Sequence, residues 1–488
     1  MRMPNRMSAG TTAGLVLLMA TGIALPGPAP AQTHGTDGER AADQSSLPQL
    51  RTSEMVVQVQ IGNEPEFAWT VVPEISPDKL RVGCTADATT RVSFTSDLES
   101  REFTVSGTDF LQFNIVNPDG QTALTEIECI PPRLRFPGDY AVSPAENRDF
   151  SRDLNSGTLA AHIEQMVEQR RIPGLAVVVT QGSQTLFQRA FGVGDLESNA
   201  PFTSATPVQL ASATKFFTGL LMLSLAEDGV IDLAAPLGDY LADAPETWRN
   251  VPLWRILNHT SGIPRILADE RFQALPEDEQ LGLTQREMFA MLEAMPLDFE
   301  PGSAMRYQQS GYAILAMAIS ERTGLNWDEL LQEHVFGPAG MTDTRFAAQA
   351  TGALPVYQLD RGALSEAHNP YPGLLRMGGG YLTTASDMAR LFAAIAQGSI
   401  VSEAFLESQI FADERIDADS NYSLATIVKT FAGERLIGHS GGGGLADIRY
   451  APGSGVGIAV LSNRLGSIIS RDITDEISEL LFGEAAAD

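Results

Sequence analysis

The spacing of apolar positions changes several times along this chain. Near the start, GLVLLMATGIAL (14–25) is one short unbroken apolar run. Over 51–137 the period is two: MVVQVQI alternates, RVSF and EFTVSG are short β-rich runs, and FLQFNIV leads into the turn signal Pro118-Asp119-Gly120. From about 155 the period lengthens to that of a helix. TLAAHIEQMVEQRR leads through Ile172-Pro173-Gly174 into the strand LAVVVTQ and then a second strand, TLFQRAFG. Between 208 and 400 helical spacing dominates. The chain then returns to strands, ERLIGHSG, DIRYAP and VGIAVLS, before a last helix, ITDEISELLF. Early strands, a helical middle and late strands predict an α+β fold with an antiparallel sheet closed by both ends of the segment.

These rhythms divide the chain. Residues 1–31 read as a secretory signal peptide: Arg2 and Arg6 precede the apolar run, and Ala29-Pro30-Ala31 offers a cleavage site before Gln32. The run is too short to favour an uncleaved anchor, and no other stretch is apolar enough to span a membrane. A periplasmic or secreted protein is expected, with no membrane span after signal removal. Residues 32–50 are polar and aperiodic, a flexible linker. Residues 51–137 read as a small β-sandwich-like module, 138–154 as a linker, and 155–488 as the larger α+β domain. The 488 residues hold two cysteines, Cys84 and Cys129, both in the module. In an oxidising compartment they can pair as a disulfide; two buried free thiols are the alternative. They do not make a zinc site by themselves, and no H-E-x-x-H motif assists, so neither metal nor organic cofactor is expected.

Charge narrows the partners. With 61 acidic and 33 basic residues the net charge is −28. Such a surface repels phosphate backbones, so nucleic acid is not an expected partner, and the acidity reads as solubility. The basic residues comprise only three lysines, Lys79, Lys215 and Lys429; arginine is the default cation. Yet Lys215 sits in ATKFFTGLLMLSL, a helix apolar on nearly every side and therefore expected to be buried.

Ser212 lies three residues before Lys215, on one face of that helix at its N-terminus. A serine hydroxyl needs a base to become a nucleophile. Burial and the positive helix end push a lysine toward its neutral, proton-accepting form, which arginine does not reach. A lysine whose stem packs and whose tip snorkels to water is the other reading. Ser76-Pro77-Asp78-Lys79 repeats the spacing inside the β module, where Pro77 suits a turn and no long buried helix follows.

Ser212-x-x-Lys215, Tyr307-Gln308-Gln309 and His439-Ser440-Gly441 occur in the order and wide spacing of the serine β-lactamase/penicillin-binding-protein family. LNHTSGIP (257–264), FEPGSAMRYQQSGYAILA (299–316), GGGYLTTASDMARL (378–391) and GHSGGGGLA (438–446) also resemble the class C β-lactamase and family VIII esterase branch. The resemblance covers about 155–485 and leaves 32–137 unexplained. It implies a β-lactamase-like antiparallel sheet flanked by helices with a helical subdomain, and a covalent acyl-enzyme. Carried over, Ser212 is the nucleophile, Lys215 its base, and Tyr307 shares the proton relay and activates water. His439 stands on the strand beside the site. The N–H groups of Ser212 and Gly442 form the oxyanion hole, and Gln309, Ser440 and Gly441 contact substrate. By themselves Tyr307 reads as a core aromatic and His439 as a strand-edge histidine; His259, Asn258 and Ser261 read as loop-holding groups.

The second motif departs from the family, which often has Tyr-x-Asn where Gln309 stands. Glutamine keeps the amide on a longer stem, and this puts β-lactam recognition in doubt more than ester cleavage. Lys429-Thr430 lacks the glycine of K-T-G, since Phe431 follows. Gly438-His439-Ser440-Gly441-Gly442 matches G-x-S-x-G, but no histidine follows 439 to complete that triad. The expected activity is serine hydrolysis of carboxylic esters. A D-aminoacyl peptidase or DD-carboxypeptidase, a β-lactamase, and a non-catalytic binder of wall peptides or β-lactams are the alternatives. The partner is a small ester or peptide substrate.

Overall fold

The computed structural model describes six strands between Glu54 and Thr125, Phe150, Leu154, and residues 156–483 except 348–353, 361–362, 418–419 and 467–468. The segment read as a signal peptide, all of 32–50, most of 138–154, and Cys84 and Cys129 with the disulfide expected between them lie outside the described residues. The six strands are Glu54–Ile61 (β1), Phe67–Pro73 (β2), Thr89–Thr95 (β3), Ser100–Ser106 (β4), Leu111–Val116 (β5) and Thr122–Thr125 (β6). They form an antiparallel four-stranded sheet, β2-β1-β5-β6, and the hairpin β3-β4.

Beyond Phe150 one sheet organises the chain. Its early strands are Gly174–Gln181 (β7), Gln184–Asp195 (β8) and Ala200–Pro201 (β9). A short strand outside it, Val208–Gln209, is β10, and Tyr381–Thr383 is β11. The late strands are Tyr422–Ser423 (β12), Thr426–Phe431 (β13), Glu434–Ser440 (β14), Ala446–Ala451 (β15) and Val456–Ser462 (β16). The order β12-β13-β14-β15-β16-β7-β8-β9 is antiparallel throughout, and β16 beside β7 joins the two ends of the segment at mid-sheet.

Strand periodicity sorts the two faces. Leu175, Val177 and Val179 of β7 point to one side, against the helices Ser156–Gln169 (α1) and Ile469–Phe482 (α6), with Ile163, Ile473, Ile477 and Leu481. Ala176 and Val178 point to the other, toward the helical middle of the chain. There lie Thr214–Glu227 (α2), Ser310–Thr323 (α3), the short Arg376–Gly379 (α4) and Ala385–Ala396 (α5). α2 is buried at every position from Thr214 to Leu225, as its lack of a polar face requires. Gly219 lets it approach the strands closely: a Cβ there would stand 2.8 Å from the Leu424 carbonyl oxygen.

Candidate active site

Ser212 sits at the entrance to α2, in a 3₁₀ turn, Ala211–Ala213, and the α-helix itself begins at Thr214. The turn is pinned from both sides. Leu210 N–H donates to the Tyr381 carbonyl at 2.9 Å, β10 pairs with β11, and Tyr381 N–H donates back to Thr214 Oγ1 at 3.3 Å. Ala211 takes a left-handed φ of +44°, a conformation that disfavours side chains and redirects the chain just before Ser212. No side chain caps the N-terminus of α2, so its positive end faces the Ser212 turn. Ser212 remains half-buried while its neighbours from Ala213 onward are buried.

Lys215, in the first turn of α2, is fully buried. Its Nζ donates to Gln309 Oε1 at 3.0 Å and to the Gly378 carbonyl at 2.7 Å. It also lies 4.7 Å from the ring centre of Tyr307 and 5.1 Å from that of Tyr312. Burial holds its pKa well below the ordinary lysine value, because the charged form loses its water. The glycine at 378 is required here: a Cβ would stand 1.9 Å from Gln309 Oε1 and 3.2 Å from Lys215 Nζ. α4 is further fixed to α2 by Thr218 Oγ1, which donates to the Met377 carbonyl at 2.8 Å.

Tyr307 precedes α3. Its hydroxyl is buried beside that of Ser212, whose approach favours the phenolate, but burial dominates and pushes the pKa up. No partner within hydrogen-bond geometry satisfies it among the described residues. His259 backs the tyrosine, ring centres 4.3 Å apart, and its carbonyl accepts from Arg306 N–H at 3.0 Å. Gln308 N–H donates to His259 Nδ1 at 3.4 Å, which places the ring proton on Nε2. His259 therefore holds the Tyr307 loop. Burial, then the charge of Lys215, keeps it neutral by lowering its pKa well below the usual histidine value. Asn258 Oδ1 accepts from Thr260 N–H and Oγ1, and Ser261 Oγ from Ile263 N–H, both shaping the same loop.

His439 lies on β14 and is buried. Its Nδ1 donates to the Ser440 carbonyl at 2.7 Å, so Nε2 accepts from the Tyr422 hydroxyl at 3.1 Å. Desolvation, reinforced by Lys215, lowers its pKa well below the usual range. This strand position thus carries a neutral ring with both nitrogens engaged. Ser440 is engaged too: its hydroxyl donates to Asp447 Oδ2 and accepts from Arg449 Nη2 at 3.1 Å. The Ser440 hydroxyl is thus tied to a buried ion pair on β15. Gly441 packs against the Ser212 turn, since a Cβ there would stand 2.4 Å from the Leu210 carbonyl oxygen; its N–H donates to the Ala446 carbonyl. Ala213 N–H is likewise used, on the Leu210 carbonyl. The N–H groups of Ser212 and Gly442, between such occupied neighbours, donate to no main-chain carbonyl among the described residues.

His259 holds a loop, as its NHTSG setting suggests, whereas the parts played by Gly378 and Tyr422 were not legible as such in the sequence. The glycine triplet 378–380 was the available signal for a close approach. Tyr422 carries none, because its partner is brought to it only by the β12-β13-β14 meander.

Comparison with known proteins places this geometry. The profile of the Beta-lactamase family matches residues 159–478. Penicillin-binding protein 4* of Bacillus subtilis (strain 168) is 24% identical over 298 residues, 57% of this chain and 65% of that protein. Esterase EstB of Burkholderia gladioli is 28% identical over 212 residues, 40% of this chain and 53% of the esterase. The match therefore takes in less than two thirds of either relative. The octameric penicillin-binding protein homologue from Pyrococcus abyssi superposes with a TM-score of 0.56 at 25% identity, covering 68% of this chain and 78% of that one. The chain belongs to the Beta-lactamase family of serine hydrolases.

Proposed function

We propose that this protein hydrolyses carboxylic esters through an acyl-enzyme on Ser212. The observation that carries the reading is Lys215: fully buried, held between Gln309 and the Gly378 carbonyl, with its charged form disfavoured, at the foot of a half-exposed serine. Neutral Lys215 takes the Ser212 proton, directly or through the protonated Tyr307, and Oγ attacks the acyl carbon. The N–H groups of Ser212 and Gly442 receive the carbonyl oxygen as it becomes an oxyanion. Collapse returns the proton to the departing alkoxide and leaves the acyl group on Ser212. Water then yields a proton to the Tyr307–Lys215 pair, attacks the same carbon, and releases the acid with Ser212 restored.

His439 supports esters over the other acyl substrates. D-alanyl peptides and β-lactams carry a carboxylate near the scissile bond, and a neutral imidazole with both nitrogens engaged offers it no fixed cation. The N-terminal signal-like segment supports action outside the cytoplasmic membrane. Among the described residues no helix is long and apolar enough to cross a membrane.

Hydrolysis of p-nitrophenyl butyrate by wild type and by Ser212→Ala tests the reading. Turnover in the wild type that vanishes in the variant is expected. Turnover that survives in the variant removes Ser212 as nucleophile. A wild type inert to the ester but active on a D-alanyl-D-alanine peptide or a chromogenic cephalosporin moves the substrate class. Covalent trapping without turnover on all three marks a binder.

A further inference from the structure

Tyr371 is unused by the chemistry above. It stands between Pro370 and Pro372, which restrict the backbone on both sides. Asn369 Nδ2 donates to Gln209 Oε1 at 2.6 Å, tying the segment to the strand that leads into the Ser212 turn. The chain then turns through Gly373–Leu375 into α4, so that the Tyr371 hydroxyl returns over Gly379. A Cβ at 379 would stand 2.0 Å from Tyr371 Oη. The neighbouring Gly378 supplies the carbonyl that holds Lys215. The hydroxyl therefore lies one residue along from the contact that positions Lys215, and near enough to Tyr307 to feel its charge.

That hydroxyl is buried and has no hydrogen-bond partner among the described residues, although part of the ring remains exposed. Burial and the nearby Tyr307 both raise its pKa, so it stays a phenol and ionisation offers no relief. A buried donor left unmade destabilises the free protein, and such a group calls for a partner such as a ligand or water. The leaving group must depart and water must enter; the acyl portion alone stays in place through both half-reactions. A buried donor held in place by its backbone suits the part that stays.

We propose that Tyr371 is a specificity-determining residue whose hydroxyl donates a hydrogen bond to an acceptor oxygen on the acyl side chain of the substrate. It favours N-acylated amino-acid esters over simple alkanoyl esters. The proposal rests on the acyl-enzyme reading. A site built to donate to a substrate oxygen discriminates against analogues lacking it, because the buried donor is then left unpaired.

The test compares p-nitrophenyl N-acetylglycinate with p-nitrophenyl butyrate, which share a leaving group and differ in the acyl-side amide. The measured quantity is the ratio of kcat/KM for the two esters, in wild type, Tyr371→Phe and Gly379→Ala, with melting temperatures recorded for each. Tyr371→Phe is expected to lower the ratio about tenfold or more. Gly379→Ala, which displaces the hydroxyl by a different route, is expected to lower it in the same direction. A ratio in Tyr371→Phe within about twofold of wild type, whether both rates fall together or neither falls, overturns the proposal. A wild type that cleaves neither ester overturns the ester-hydrolase reading and this inference with it. A wild type that cleaves both, with an unmoved ratio, sinks the inference alone.

Discussion

Lys215 is the residue on which the site turns, and its chemistry sets a pH dependence whose sign is fixed. Its pKa is lowered in the folded protein. Between that lowered value and the ordinary one, the unfolded chain binds more protons at this group than the native state does. Stability from Lys215 therefore rises with pH across that window, and below it a constant penalty remains. Lys215→Met has no such titration. The melting temperature of wild type minus that of Lys215→Met should grow from neutral pH toward the ordinary lysine value; a constant difference would mean that the lysine titrates as it does in water. In the proposed mechanism catalysis follows the same group, because only neutral Lys215 accepts a proton. kcat/KM should fall as pH drops through the lowered pKa. Lys215→Arg, cationic at every accessible pH, should lose about 10²–10⁴-fold in kcat/KM, read against wild type on p-nitrophenyl butyrate.

Short elements hold this lysine in place. α2 brings it in, α3 carries Gln309 at its N-terminal boundary, and four residues of α4 supply the opposing carbonyl. Their separations in sequence are large, 94 residues to Gln309 and 163 to Gly378, yet each contact is a single hydrogen bond. Gly378→Ala is the sharp probe of that arrangement, since its Cβ would overlap Gln309 Oε1. Moving the amide or the backbone by about 1 Å should lower kcat on the order of 10²-fold, with far-UV circular dichroism unaltered. Activity kept within about threefold of wild type would show that the base tolerates a displaced acceptor. The same logic of close approach applies at Gly441, whose Cα lies against the Leu210 carbonyl and so sets the distance between β14 and the Ser212 turn.

At the scale of the whole molecule the central sheet separates support from chemistry. One face carries α1 and α6 and their own apolar cluster; the other faces α2 and the site. Ile477, on α6, is buried in the supporting cluster. Ile477→Ala should destabilise the fold by about 2–5 kcal/mol, measured by chemical denaturation. Well below its melting temperature the variant should keep its KM for p-nitrophenyl butyrate. A raised KM would mean that the two faces are mechanically linked. On the supporting face lies the buried pair Asp447–Arg449, 3.0 Å apart, which also holds the Ser440 hydroxyl. Burial raises the Asp447 pKa against the pull of Arg449.

Local patterns sufficed for many of the elements and for the burial of Lys215, because their physics is local. A helix without a polar face must be buried, an i, i+3 spacing puts two groups on one face, and late strands with period two must join a sheet. An antiparallel sheet closed by early and late strands is what those rhythms predicted; its eight strands and the pairing of β16 with β7 came only from the fold. Three things were decided only by tertiary structure. The Ser440 hydroxyl is held by Asp447, because strand pairing sets Ser440 opposite Asp447. The state of His439 follows from Tyr422, which no spacing rule connects to it. Lys215 is held by the Gly378 carbonyl and Tyr371 comes to rest over Gly379, because distant segments fold back onto α2. Hydrogen bonds between distant segments leave no period in the sequence. They exist only once packing has brought donor and acceptor together, and packing is a property of the whole chain.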